Sequence, residues 1–184
     1  MDPILVRYQA LEDKVASYTP NLDTKRLFDA FTYADAAHKG QLRKSGEPYI
    51  IHPLAVAEIV ADLGLDVDSV IAAMLHDCIE DTASTHEEIA KKFGASVAEL
   101  VEGVTKLTKM QFVTKEEEQM ENLRKMLMAM SRDIRVILIN HTVQGLDPAA
   151  VFHGYHHTAI FFNCLNYLQT VSSHRAAGYQ NSWS

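Results

Sequence analysis

The sequence predicts a single all-α domain built as a helical bundle, and three observations carry that prediction. Four capping-box patterns, Ser84/Glu87, Thr85/Glu88, Ser96/Glu99 and Thr114/Glu117, each stand ahead of a stretch with helical apolar spacing. Gly and Pro together are scarce in the 184 residues, 8 and 5, while 47% of the chain is hydrophobic, enough for one sizeable core. The one run that reads as a strand on β-branching alone, residues 134–139, is a buried helix in this all-α setting.

In chain order, Asp23 and Thr24 can cap a helix running to about Lys39, with Leu27, Phe28, Phe31 and Ala34 on its apolar side and Gly40 ending it. Residues 41–51 read as a loop, with Ser45-Gly46-Glu47-Pro48 as turn chemistry. Pro53 suits the first turn of a helix through Leu63, stopped by Gly64. Asp66 or Asp68 caps the next, Val67 to about Glu80, whose residues 70–75 are apolar nearly all round and therefore buried.

Charge divides the chain unevenly. All but two of its 17 basic and 24 acidic side chains fall in residues 1–139; the last 45 residues hold only Asp147 and Arg175. That tail also carries five of the nine His and the only Trp. A solvated helical surface mixes charges, so residues 140–184 read as a separate, apolar, partly helical tail that packs on the domain or forms an oligomer interface. The net charge of −7 argues against general nucleic-acid binding. No apolar run approaches the ~18 residues that span a bilayer. The first twelve residues lack a signal-peptide layout, and two cysteines make no disulfide framework, so a reduced, cytoplasmic setting is expected.

Three features could carry chemistry. In Leu75-His76-Asp77-Cys78-Ile79-Glu80-Asp81-Thr82, helical spacing puts His76 beside Glu80 and Asp77 beside Asp81. An imidazole and three carboxylates at the end of a buried helix are costly unless a cation neutralises them. A solvated helix end with an ordinary core histidine is the plainer alternative. The second feature is the basic loop around Arg43, Lys44 and Ser45, able to hold an anion or simply to stay in water. The third is His52, directly before Pro53. Together His52, His76 and Asp77 offer an N/N/O donor set suited to Mn²⁺, Fe²⁺ or Zn²⁺. His153, His156 and His157, the methionines at 126, 128 and 130, and Cys78 read as packing or accidental clusters.

Arg43-Lys44-Ser45-Gly46-Glu47-Pro48-Tyr49 with His52-Pro53, then Leu75-His76-Asp77 with Glu80-Asp81-Thr82, then Gly103-Val104-Thr105-Lys106-Leu107, resembles the N-terminal hydrolase domain of the Rel/Spo alarmone family, of the HD phosphohydrolase superfamily. The likeness covers about residues 20–139. It implies an HD-type helical bundle over residues 1–139 that removes the 3′-pyrophosphate of guanosine tetra- or pentaphosphate (ppGpp, pppGpp), usually with Mn²⁺. By that resemblance His52, His76 and Asp77 are metal ligands, Glu80 and Asp81 position or activate the attacking water, and Arg43, Lys44 and Ser45 grip the nucleotide.

The resemblance breaks after Ile139. Where the family has an aspartate, its fourth protein ligand, this chain has Val143, and where it has a substrate-contacting asparagine, Asp147. Gly145 and Pro148 work against a helix continuing there. The residues therefore support a metal-dependent ppGpp hydrolase domain altered at its C-terminus. The alternatives are a catalytically inactive nucleotide- or partner-binding HD domain and an HD phosphohydrolase for another nucleotide. A chain of this length leaves no room for the synthetase and regulatory domains of the long family members, so alarmone synthesis is not expected of it.

Overall fold

The computed structural model describes residues 2–108 and 133–145. They form eight helices and, among the described residues, no strand: α1 Pro3–Tyr18, α2 Thr24–Ala37, α3 Ile51–Asp62, α4 Val67–Leu75, α5 Cys78–Asp81, α6 His86–Phe93, α7 Ala95–Thr108 and α8 Ile134–Gly145. The all-α expectation holds, including the helical reading of residues 134–139.

The bundle is arranged around α4, which packs on α2, α3 and α7. Every residue from Ser69 to Leu75 is buried, so only the first two residues of this nine-residue helix reach solvent. Burying a side chain such as Ile71, Met74 or Leu75 contributes about 1.5–3 kcal/mol each. The start of α4 is fixed by Asp66, whose carboxylate accepts from the Ser69 amide (2.9 Å) and hydroxyl (2.7 Å). Gly64, at φ +69°, makes the turn before it.

The sequence anticipated α2, α3 and their stops closely. Asp23 caps α2 by accepting from the Arg26 amide, and Leu27, Phe31 and Ala34 are buried as expected. Phe28 departs from that set; it is half-exposed and meets the Tyr8 ring edge-on at 5.4 Å. α1 was not anticipated, although Asp2-Pro3 supplies its cap and first-turn proline. It lies against α3, where Arg7 forks onto Glu58 at 2.8 and 2.6 Å, and its Tyr8 stacks on Phe31 of α2.

Two of the four capping boxes fail and one lies outside the described residues. Thr85 and Glu88 form the box that starts α6, each side chain accepting from the other's amide at 3.3 Å. Ser84 instead accepts from the Tyr33 hydroxyl at 2.9 Å, so the cap shifts one residue onward. Ser96 falls inside α7, which begins at Ala95, and the Gly94 carbonyl takes the Ala98 amide in its place. Thr114 and Glu117 lie outside the described residues, as do Cys164, the three methionines and the tail histidines His153, His156, His157 and His174.

α8 runs unbroken past residue 140 to Gly145, where the described residues end; Asp147 and Pro148 lie outside them. Two contacts index this helix. Arg135 reaches Asp66 at 2.7 Å and Asp133 at 2.6 Å, tying the start of α8 to the cap of α4. Val136 sits directly over Gly103 of α7: a Cβ at 103 would stand 2.8 and 3.0 Å from its two methyls.

That close approach predicts the cost of a side chain at 103. Gly103→Ala overpacks a stiff β-branched neighbour by about 1–3 kcal/mol, less the ~1 kcal/mol that Ala gains over Gly in a helix. A net loss of up to about 2 kcal/mol in denaturant titration is expected, and adding Val136→Ala should cost less than the two single changes summed.

Candidate metal centre and nucleotide loop

The sequence predicts one helix from Val67 to Glu80; the structure interrupts it. α4 ends at Leu75, His76 and Asp77 form a turn, and α5 resumes at Cys78. The His76 ring contributes to this break, because its Nδ1 donates to the Ala73 carbonyl at 2.8 Å. That carbonyl is the partner an uninterrupted helix would give to the Asp77 amide, so side chain and backbone compete for it.

The bond also fixes the tautomer. A carbonyl only accepts, so Nδ1 carries the proton and Nε2 presents its lone pair. This Nε2 is buried, 3.0 Å from Asp77 Oδ1, and makes no well-formed hydrogen bond. A lone pair facing a carboxylate oxygen is repulsive unless a second proton or a cation stands between them.

From the first turn of α3, His52 brings its Nε2 to 3.7 Å from Asp77 Oδ2, with its ring 5.2 Å from that of His76. One donor atom from each of His52, His76 and Asp77 lies within 4.8 Å of the others. Both histidines are buried. Burial pushes the Asp77 carboxyl up, but positive charge shared with His76, the Tyr49 hydrogen bond and charge on His52 outweigh that and hold it below the ordinary carboxylate range whenever a second proton stands on His76. An ionised carboxylate and two imidazole nitrogens fit a divalent cation.

Glu80 and Asp81 are both exposed on α5. Asp81 stays beside Asp77 despite the broken helix: its amide donates to the Asp77 carbonyl at 2.8 Å. The Tyr49 hydroxyl stands between the two carboxylates, 2.8 Å from Asp77 Oδ2 and 3.0 Å from Asp81 Oδ2. Burial first, then both carboxylates, push this hydroxyl far above its ordinary range, so it remains a donor. Cys78 packs inward, 3.9 Å from His38 Nε2, its thiol pushed up to about 12 by burial and by Asp77.

Arg43, Lys44 and Ser45 lie on a short hairpin-like loop. The Arg43 amide donates to the Glu47 carbonyl at 2.9 Å and the Gly46 amide to the Arg43 carbonyl at 2.8 Å, with Gly46 at φ +86°. Lys44 and Ser45 are exposed and Arg43 is half-buried, while the Ser45 hydroxyl is held by Glu47 at 3.0 Å. At the base of the loop the Tyr49 amide donates to the Gln41 carbonyl at 3.1 Å. Gln41 in turn donates to the Asp81 carbonyl at 3.2 Å. Sequence reasoning gave Tyr49, Gln41 and His38 no role of their own at this site. No spacing rule connects residue 49 to residues 77 and 81; only the folded loop does.

The profile of the HD domain matches residues 30–144, more than half of the chain. The chain belongs to the HD domain family. Within it, this HD domain is 54% identical over 132 residues to the bifunctional (p)ppGpp synthase/hydrolase SpoT of Escherichia coli K12, covering 72% of this chain and 19% of that protein. It is 62% identical over 103 residues to a guanosine-3′,5′-bis(diphosphate) 3′-pyrophosphohydrolase of Haemophilus influenzae, covering 56% and 15%. The chain thus spans about a fifth or less of these relatives. A solved structure described as a metazoan ortholog of SpoT that hydrolyzes ppGpp shares the fold, with TM-score 0.53, 24% identity and 68% of each chain covered. No helix among the described residues is long and apolar enough to cross a membrane.

If His52, His76 and Asp77 share a cation, it stabilises only the folded HD domain. A divalent ion at a hundred times its Kd should add about 2.7 kcal/mol, read as a raised thermal midpoint. Asp77→Asn should abolish the rise while still melting cooperatively; an equal rise in that variant would place the ion elsewhere.

Proposed function

We propose that this HD domain is a metal-dependent ppGpp hydrolase that cleaves the 3′-pyrophosphate from guanosine tetra- or pentaphosphate, with Mn²⁺ held by His52, His76 and Asp77. The observation that carries the reading is the convergence of those three donors, with the loop that bears Arg43 and Lys44 fastened at its base to the Asp77 carboxylate through Tyr49 and to the Asp81 carbonyl through Gln41. The relatives named for ppGpp hydrolysis support the substrate class. The buried free thiol of Cys78 suits a reduced compartment, the cytoplasm.

When bound, the cation lowers the pKa of water and offsets charge on phosphoryl oxygens. Glu80, or Asp81 beside it, accepts a proton from the water that attacks the phosphorus on the 3′ oxygen. The P–O bond to the ribose breaks, the 3′ oxygen leaves with a proton, and pyrophosphate is released with guanosine 5′-diphosphate, or the 5′-triphosphate from the pentaphosphate. Arg43, with its planar guanidinium, stacks on or forks to the nucleotide, and Lys44 and Ser45 donate to it. Their work is positioning.

A second reading, a catalytically silent HD domain that binds nucleotide or a partner, is favoured by Val143. The helix that carries it is intact, yet a valine stands where the family resemblance calls for the fourth ligand. Hydrolysis of ppGpp with added Mn²⁺, run beside calorimetry of ppGpp binding, separates the two: binding without turnover selects the second, and neither rules out both.

Val143→Asp adds a carboxylate on a helix already formed, so Mn²⁺ affinity is expected to rise by about tenfold or more, measured by isothermal titration. Glu80→Gln keeps the shape of the side chain and removes its proton acceptor. Turnover should fall by about 10²-fold or more with ppGpp affinity nearly unchanged, and equal losses in both would recast Glu80 as a binding residue.

A further inference from the structure

We propose that Tyr49 is a positioning residue whose hydroxyl ties the carboxylate of Asp77 to that of Asp81 and fixes which oxygen Asp77 turns to His76. This rests on the metal-centre reading above and adds a residue to it. The hydroxyl lies 2.8 Å from Asp77 Oδ2 and 3.0 Å from Asp81 Oδ2, while Asp77 Oδ1 is the oxygen at 3.0 Å from His76 Nε2. A phenol has one proton to donate, so two like-charged carboxylates share a single donor, and that shared donor sets how far apart they stand.

The aim of the hydroxyl does not depend on the carboxylates it serves. The Tyr49 ring stacks on His38 at 4.4 Å and 19°. His38 is buried and donates from Nδ1 to Gln41 Oε1 at 2.8 Å. The Tyr49 backbone is held on both sides, its amide on the Gln41 carbonyl and its own carbonyl accepting from the His52 amide at 3.0 Å. One residue therefore touches a histidine of the donor set through its backbone, and the aspartate of that set and its acidic neighbour through its side chain. Outer-shell partners of this kind orient ligands and set their affinity.

Removing only the hydroxyl isolates the role, because Phe keeps the stack on His38. Mn²⁺ titration followed by electron paramagnetic resonance on the parent, Tyr49→Phe and Tyr49→Leu should show about tenfold weaker binding in both variants, with Tyr49→Phe melting where the parent does. At saturating Mn²⁺, Tyr49→Phe should still turn over ppGpp more slowly at unchanged KM, because Asp81 has lost its donor too. If Tyr49→Phe binds Mn²⁺ and turns over like the parent while only Tyr49→Leu is weakened, the ring alone matters and the proposal fails. A parent that takes up no Mn²⁺ overturns the metal-centre reading, visible before any variant is compared, and this role with it. A parent that binds Mn²⁺ without hydrolysing ppGpp leaves the affinity comparison to decide.

Discussion

The candidate site depends on one constraint: α4 is buried from Ser69 to Leu75 and leads directly into a turn made by a histidine and an aspartate. An apolar helix enclosed by α2, α3 and α7 has no freedom to tilt or slide, since its side chains are packed at near-crystalline density. Whatever it carries at its C-terminal end is delivered to a fixed point. Desolvating His76 and Asp77 there is unfavourable, and the surrounding hydrophobic burial is what makes the arrangement tolerable. Rigidity and electrostatic tension thus have the same origin. They are the conditions under which a site binds a cation without first reorganising.

The loop of residues 38–50 extends that rigidity outward. Its turn at Gly46 is exposed, but its base is fastened by Gln41 and Tyr49 to α5 and to the turn after α4. Lys44 stays exposed and Arg43 half-buried on this fastened loop. Any ligand that orders them does so on a platform shared with Asp77.

What could be read in the sequence follows the range of the forces involved. Local signals were legible: the Asp23 and Asp66 caps, the Thr85/Glu88 box and the glycine at 64 each act within a few residues. The apolar run at 70–75 correctly implied a buried stretch of helix. The donor set of His52, His76 and Asp77 was reachable from residue chemistry and resemblance, though distances needed the fold. The break at His76 was not legible, because it turns on a ring nitrogen taking a backbone acceptor. Nor was the bridging position of Tyr49, which arises from chain segments 28 residues apart meeting through a hydroxyl. Ser96 shows the converse failure, a valid local pattern overruled by where packing starts the helix.

Helix α8 has its rotation and its height both set at one end, by Arg135 on Asp66 and by Val136 against bare Gly103. Seven residues on an α-helix make two turns less about 20°, so position 143 comes back almost in line with position 136. The helix is consequently a ruler with its zero pinned, and the residue at 143 is presented at a set distance and bearing whatever its identity. Substitution there swaps chemistry without moving the mark. A one-residue insertion between 136 and 143 would instead swing the mark by roughly 100°. Evolution along this stretch can therefore retune the side chain freely, but it cannot change the spacing without losing the address.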